Sequence, residues 1–537
     1  MVKKNIWKKL TIFIFIMFLP FITEAFVFST FKTQLFLSTI FSSILISSPY
    51  FLFNNLFFKK IYWNSIGFLI IIWSLVESIY LFKDKVKFNE LAIRLFLESF
   101  PKEILGFFSN VIPIEISVLG LLTILILLFY FFNLKHEYLK LPKTFRFVMV
   151  LFIFLYILFV GLSPKNKFTY LGVFENSIQA VINANQYFKS IDKDSEAINK
   201  EISLLNLEPD TLAHTWVLLI GESSSRHHWE LYGYPRPTNP KLKNRKDIIL
   251  YDDVISSHTS TVESLSRCLT FNSNGDLKHD FSDLTIADIA NASDIKTWWI
   301  STHHEHGLIK SSVPHAMKRC KHVYFLENDF PGSSMPHDGL ILPYLSNALK
   351  DTTPRKLILI HLMGSHLPYK DRYPRDFEIF GESNFEKKKY RFADTKEKIN
   401  NINAYDNSHL YQDFVLNEIL NQLDSARHKG SPVSAIYFSD HGEEVYDYRN
   451  FLGHSPQSNS AWMHDIPFFT WGIPNSSNQF KPYNLKDFFH TLVDWMGIHA
   501  NKFNPQNSII NNSFSIKNRF LGNGQKYTKK HLAHLKR

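Results

Sequence analysis

Five long apolar stretches crowd the first third of the chain: Leu10–Phe31, Leu35–Phe58, Trp63–Phe82, Val111–Phe132 and Phe145–Leu162. A helix crossing a bilayer core needs about 20 mostly apolar residues, so this segment reads as five membrane spans. A cleaved leader is a single shorter apolar run ending at small residues. Five successive runs do not fit that description, and the first reads as a retained anchor. Charge placement agrees. Lys3, Lys4, Lys8 and Lys9 precede the first stretch, Lys59 and Lys60 follow the second, and Lys135, Lys140, Lys143 and Arg146 lie between the fourth and fifth. If spans alternate, these cations share one side and are opposed there only by Glu137, whereas the other side has Lys32 and a mixed segment from Lys83 to Glu103. The cation-rich side is the inner one. The N-terminus is therefore expected inside, and an odd number of spans leaves the C-terminal part outside.

Between the third and fourth stretches, Glu90, Arg94 and Glu98 recur on one helical face, and Leu91, Ala92, Leu95 and Phe96 fill another. An amphipathic helix near 88–107, lying in the outer interface, is expected there. The expected organisation is a membrane domain over 1–163, a connector over 164–208 (helical around Glu175–Ile191, then charged), and an outer domain over 209–537.

Composition follows the same division. Residues 1–165 hold 28 of the 50 Phe, one of the 23 His, and nine of the ten net positive charges. The remainder is almost neutral at +1 and holds 22 His and both Cys. A broad nucleic-acid surface needs clustered Lys and Arg on the soluble part, so that class is excluded. Disordered and disulfide-rich secreted classes are excluded as well.

From His214 onward, short β-rich runs recur at Trp216–Ile220, Ile248–Tyr251, Thr297–Ile300, Leu357–Ile360, Ala435–Phe438 and Pro467–Trp471, with a helical stretch at Leu410–Leu423. Apolar runs of this kind fit a parallel sheet buried on both faces. Three of them lead directly into polar segments: Gly221-Glu222-Ser223-Ser224, His361-Leu362-Met363-Gly364-Ser365-His366, and Ser439-Asp440-His441-Gly442-Glu443. Open α/β sheets bind ligands beyond the carboxyl ends of their strands, so these segments point to one cleft. Carboxylates with imidazole suit Zn²⁺ or Mn²⁺. Two Cys, 268 and 320, cannot build a closed structural zinc site, which leaves a catalytic one. Gly442 fits a tight turn. The segment Ser257–Leu265 supplies hydroxyls ahead of a helix, where backbone amides favour a phosphate; a plain Ser/Thr helix cap is the competing account. Composition does not choose among Thr259, Ser260 and Thr261.

The run Leu231-Tyr232-Gly233-Tyr234-Pro235-Arg236-Pro237-Thr238-Asn239-Pro240 joins these motifs. So does Asn403-Ala404-Tyr405-Asp406-Asn407-Ser408. In this order, behind five apolar stretches, they resemble the bacterial phosphoethanolamine transferases across nearly the whole chain. The resemblance implies an α-helical transmembrane domain of five spans plus an α/β sulfatase-like domain of the alkaline phosphatase superfamily, with a central, mostly parallel sheet. It implies Thr261 as nucleophile and Glu222, Asp440, His441 and the Thr261 oxygen as holders of Zn²⁺. His366 and His454 match outer histidines that contact substrate phosphate or a second metal and serve as acid/base groups, although the spacing from Asp440 to His454 departs from lipid A-modifying members. Glu443 stands behind the ligands, and His361 either takes part or packs beneath the site. Glu98-Ser99-Phe100-Pro101-Lys102-Glu103 resembles the outer-face motif Glu-Thr-(Asn/Asp)-x-x-Glu-Ala, with Ser99, Phe100 and Ile104 as departures. Its carboxylates, Glu98 and Glu103, are suited to an ammonium head group; solvated charge on an interfacial helix is the plainer account. Cys268 and Cys320 permit at most one disulfide, fewer than in lipid A-modifying members. The run His303-His304-Glu305-His306 has the residue types to bind a metal, but an exposed polar loop is the favoured reading.

The implied activity is transfer of phosphoethanolamine from phosphatidylethanolamine to a cell-envelope acceptor, either lipopolysaccharide (lipid A or core sugar) or another glycan. The enzyme is expected as a multi-pass inner-membrane monomer with its catalytic domain in the periplasm. A phosphoglycerol transferase of the lipoteichoic acid synthase type and a sulfatase- or phosphatase-like hydrolase are the alternatives. The Gly233-Tyr234-Pro235-Arg236 and Asn403–Asn407 motifs argue against the first, and the lack of a Cys/Ser-x-Pro-x-Arg site argues against a sulfatase. A reporter that works only in the periplasm, fused after Arg537, is expected to be active; a silent fusion would refute the five-span count.

Overall fold

The computed structural model describes residues 21–26, 55–84, 195–271, 283–306, 311–326, 337–384, 390–455, 460–474 and 477–528, with scattered positions at 281, at 182, and elsewhere between 11 and 47 and between 144 and 154. The chain divides into two compact units, Met1–Phe96 with Ile112–Ala184, and Leu97–Val111 with Asn185–Arg537.

In the first unit, helix α1 (Leu56–Asp84) contains the whole of Trp63–Phe82. It also carries Lys59, Lys60, Glu77, Lys83 and Asp84, and Lys59 and Glu77 are buried. Among the described residues, no helix is long and apolar enough to cross a membrane. The other four apolar stretches lie mainly outside the described residues. So does the segment near 88–107, with Glu98, Ser99 and Glu103, and so does most of Glu175–Ile191. Helix α2 (Ser195–Ser203) opens the described part of the second unit.

The second unit is built on a seven-stranded sheet of β1 (His214–Gly221), β2 (Ile248–Leu250), β3 (Lys296–Ser301), β4 (His322–Phe325), β5 (Arg355–His361), β6 (Val433–Ser439) and β7 (Phe468–Trp471). Its order is β2-β7-β6-β1-β5-β3-β4. The five strands from β6 to β4 are parallel, and β7 runs antiparallel to both its neighbours. The sheet is mixed, with a parallel centre. All six expected strands are present, and β4 is an addition: its pattern, half-exposed at an edge, lacks the apolar density of the others.

Parallel strands must be covered on both faces. One face presents Val217, Leu219, Ile358, Ile360, Ala435 and Tyr437 to a core shared with Val415, Leu416, Ile419, Leu420 and Leu423. Those last five lie on α6 (Lys396–His428), which extends well beyond the expected Leu410–Leu423. The Thr395 side chain accepts a bond from the Lys398 amide at its start, and Arg427 and His428 end it, as orphan amides and the helix dipole favour. On the other face, the Phe438 and Phe488 rings meet edge-on at 4.8 Å and the Trp216 indole donates to the Trp495 carbonyl. Phe488 and Trp495 belong to α7 (Phe488–Trp495). The shorter helices of the unit include α3 (Thr261–Leu269), α4 (Ile286–Ala292) and α5 (Ile341–Lys350).

The register places the site. In the β1–β5 and β1–β6 ladders, Ile220 faces His361 and Gly221 faces Ser439. The ladders continue one residue further, through Leu362 N–H to Ile220 O and Asp440 N–H to Gly221 O. Glu222 and Asp440 therefore leave neighbouring strands at one level.

Gly442 has a different cause from the turn expected of it. A Cβ there would lie 2.1 Å from the Trp462 carbonyl oxygen, which is backbone and cannot swing away. Gly442→Ala is therefore expected to cost about 1–3 kcal/mol through overpacking, read as a lowered midpoint in chemical denaturation. Gly381, with nothing within 4 Å of its would-be Cβ, is the control, and Gly381→Ala should stay within about 0.5 kcal/mol of the wild type. Equal effects would refute the steric account.

Candidate functional site

Four of the expected residues meet beyond β1 and β6. Thr261 is the first residue of α3, and its hydroxyl donates to Glu222 Oε2 at 2.9 Å. The other carboxylate oxygen, Glu222 Oε1, lies 3.2 Å from His441 Nε2 and accepts from the Ser223 hydroxyl at 2.8 Å. His441 Nε2 is 3.6 Å from Asp440 Oδ2. Glu222, Asp440 and His441 are completely buried.

Local bonds set the orientation of each group. Asp440 Oδ1 accepts the His441 and Ser223 amides, and Ser264 Oγ donates to the Asp440 carbonyl. His441 Nδ1 lies 2.8 Å from the Gly442 carbonyl. A carbonyl only accepts, so Nδ1 carries a proton and Nε2 faces the carboxylates. Ser223 holds a left-handed φ of 54°, unusual for a side chain with a Cβ. Its own contacts compensate: its amide bonds to Asp440, its hydroxyl to Glu222, and its carbonyl accepts from Tyr405.

The electrostatics are those of two anions sharing one imidazole. Burial works to raise the Glu222 carboxyl, but His441, aided by His366 and His303, holds it well below the usual range. Burial and the adjacent Glu222 charge push Asp440 well above that range. Burial opposes charge on His441, yet Asp440 and Glu222 outweigh it and raise the ring to about 10. Asp440 Oδ2 is buried with no hydrogen-bond partner, a costly state unless something cationic sits there. Two carboxylates, an imidazole nitrogen aimed at them and a hydroxyl make a four-donor set that fits a tetrahedral cation.

The helix-cap account of the hydroxyl cluster is not realised. Ser260 is the residue before α3, but its side chain makes no cap and donates to Glu263 Oε2 at 2.8 Å. Thr259 Oγ1 is buried without a partner. Of the three, Thr261 is the one bonded to Glu222.

Glu443 and His454 pair at 2.7 Å, the second Glu443 oxygen accepts from the Tyr369 hydroxyl at 2.9 Å, and the His454 and His441 rings are 4.3 Å apart. Burial first, then the neighbouring His441, lowers the His454 ring below its ordinary value. His366 Nδ1 bonds the Leu367 carbonyl at 2.7 Å. His361 is buried and lies flat against His303, with ring centres 3.8 Å apart and planes within 3°. Glu222, His303 and His361 lie close enough to be a ligand group by distance, but parallel rings cannot both aim an in-plane lone pair at one ion. His303 thus belongs to the site surroundings, and His304 is buried; the exposed-loop reading of His303–His306 fails for both. The signal for them is the one carried by β1, β5 and β6: imidazole-bearing residues directly beyond the carboxyl end of an apolar strand, here β3.

The Asn403–Ser408 motif lies on α6 and latches the strand-end loops together. Tyr405 bonds Ser223 and Ser225, Asp406 bonds His228, Tyr234 and Arg236, and Ser408 bonds Ser365. Cys268 and Cys320 are both buried free thiols, and burial raises each, Cys320 to about 12.

The model of the family described as Sulfatase matches residues 214–498. Phosphoethanolamine transferase EptC of Escherichia coli K12 is 26% identical over 473 residues, covering 82% of this chain and 80% of its own. The crystal structure of the C-terminal periplasmic domain of the Escherichia coli EptC, in complex with Zn, is 28% identical with a TM-score of 0.55, covering 60% of this chain and 94% of that one. The whole integral membrane lipooligosaccharide phosphoethanolamine transferase A of Neisseria meningitidis shares the fold, with a TM-score of 0.68 at 19% identity over 93% of this chain and 98% of its own. The likeness to phosphoethanolamine transferases carried by the motifs is borne out by these relatives. With the family model spanning more than half of its length, the chain belongs to the sulfatase family.

Proposed function

We propose that the protein transfers phosphoethanolamine from phosphatidylethanolamine to a lipopolysaccharide or other glycan acceptor through a phosphoethanolamine adduct on Thr261. The observation that carries this reading is the Thr261 hydroxyl, at the start of α3 and 2.9 Å from Glu222, beside Asp440 and His441. Membership of the sulfatase family rests on the match over residues 214–498; the activity is argued from the site and from the transferase relatives. Glu222, Thr261, Asp440 and His441 are the residues that would hold Zn²⁺. When bound there, the ion would lower the pKa of the alcohol and stabilise negative charge developing on phosphorus-bound oxygen.

The residues account for the steps. The Thr261 oxygen forms a bond to phosphorus while the bond to the diacylglycerol oxygen breaks. The Thr261 proton departs as that bond forms, and diacylglycerol leaves after taking up a proton, both transfers falling to His366 and His454. The α3 amides favour the phosphoryl oxygens. An acceptor oxygen then attacks the adduct, losing its proton and restoring the Thr261 hydroxyl. His366 and His454 are assigned to the substrate phosphate and proton transfer, with Glu443 orienting His454. Glu98, Ser99 and Glu103 are assigned to the ethanolamine ammonium. A lipid donor explains five N-terminal spans with an outer catalytic domain, over 1–163 and 209–537 with a connector between. The protein is read as a monomer, since Glu222, Thr261, Asp440 and His441 all come from one chain. Support comes from the apolar stretches, the Lys/Arg bias and the fold shared with a whole integral membrane relative.

The deciding experiment incubates the purified full chain with fluorescent phosphatidylethanolamine. Diacylglycerol release and a phosphoethanolamine mass on the Thr261 peptide are expected, and Thr261→Ala should cut release by on the order of 10³-fold or more. Turnover of phosphatidylglycerol instead would replace this reading with phosphoglycerol transfer. Zinc affinity should rise with pH between about 6 and 8, because the raised Asp440 and His441 groups hold protons that a cation must displace. Calorimetry in buffers of different ionisation enthalpy should show proton release on loading; affinity that does not change with pH would contradict the assigned ligands.

A further inference from the structure

His228 plays no part in the chemistry above, yet it is fully buried between two carboxylates. Its Nδ1 lies 2.7 Å from Asp406 Oδ1 and its Nε2 lies 3.0 Å from Asp447 Oδ1. Ionised carboxylates only accept, so both ring nitrogens carry protons and the ring is an imidazolium. The Asp406 end is anchored on α6, where its second oxygen accepts from Arg236 at 2.6 Å and from Tyr234 at 2.8 Å.

The Asp447 end leads to the site. Asp447 Oδ2 accepts the Val445 amide at 2.9 Å. Val445 pairs with Leu452 and Glu444 with Gly453 in a two-rung antiparallel ladder. The next residue beyond each strand is Glu443 on one side and His454 on the other, and these two pair at 2.7 Å beside His441. The charged clamp thus grips one end of a short ladder, and the Glu443–His454 pair sits at the other. A ladder of two rungs has little stability of its own, so its placement depends on such an anchor.

We propose that His228 is a positioning residue, which through Asp447 and this ladder fixes the Glu443–His454 pair against the Asp440–His441 centre. The kinetic part of the test rests on the proposed transferase activity; the structural part does not. His228→Gln and Asp447→Asn are made in the full chain, alone and combined with His454→Ala. Each single change should lower kcat by about tenfold or more, as a misplaced site group does, with KM and zinc content unchanged. In the His454→Ala background the further loss should be under about twofold, because residues acting as one unit are not additive. Equal fold losses in both backgrounds would overturn the proposal and leave His228 a fold-stabilising clamp. If His228→Gln does not fold, Asp447→Asn decides, since it leaves the His228–Asp406 bond intact. If the wild type turns over no phospholipid, the transferase reading fails. The crystal structure of the Asp447→Asn chain then decides: a Glu443–His454 pair opened beyond hydrogen-bond range supports the positioning role, and an unchanged pair overturns it.

Discussion

Two buried carboxylates, Glu222 and Asp440, stand at the ends of adjacent parallel strands with a single imidazole between them. That arrangement is unfavourable by itself. Burial penalises each charge and the two anions repel, and the opposed directions of their titration record the conflict. The surroundings resolve it in part. The Ser223 amide and hydroxyl and the His441 amide bond the two carboxylates, and His441 is locked by the Gly442 carbonyl into the orientation that faces them. The oxygen left unbonded, Asp440 Oδ2, is the one a cation would satisfy.

This explains why the motifs are spread over more than 200 residues. Strand-end loops are short and polar, and each needs an outside partner for its backbone. Tyr405 and Asp406 on α6 supply partners to the loop after β1 and to the Gly233–Arg236 turn, and Ser408 reaches the loop after β5. Much of the resemblance to the transferases is therefore a bracing network. The reactive set is smaller, and it is presented by β1, β6 and the first residue of α3.

The parallel centre was legible because both faces of β1, β5 and β6 are buried, which leaves continuous apolar runs in the sequence. Edge strand β4 was not, since a half-exposed edge has no such run. The polar segments after β1, β5 and β6 were legible because each continues directly from its strand. His303 stands in the same relation to β3, but its cluster of three His and one Glu looks like solvated loop until the β3–β5 pairing sets it against His361. His228 and Asp447 were illegible: the two carboxylates that hold the ring lie 178 and 219 residues from it in sequence, and nothing in either neighbourhood marks a buried ion triad.

The sequence by itself determined the division into an apolar, cationic N-terminal third and a near-neutral, His-rich remainder, because composition is local and needs no contacts to read. It also determined that carboxylates and imidazoles follow apolar strands, because strand and motif are contiguous. Only the tertiary structure decided which of Thr259, Ser260 and Thr261 bonds the carboxylate, that His361 lies stacked on His303, that the two thiols stay apart, and that Gly442 is required by the Trp462 carbonyl. Each of these depends on distances between segments far apart in the chain. Strand register and helix packing set those distances, and no local pattern encodes them.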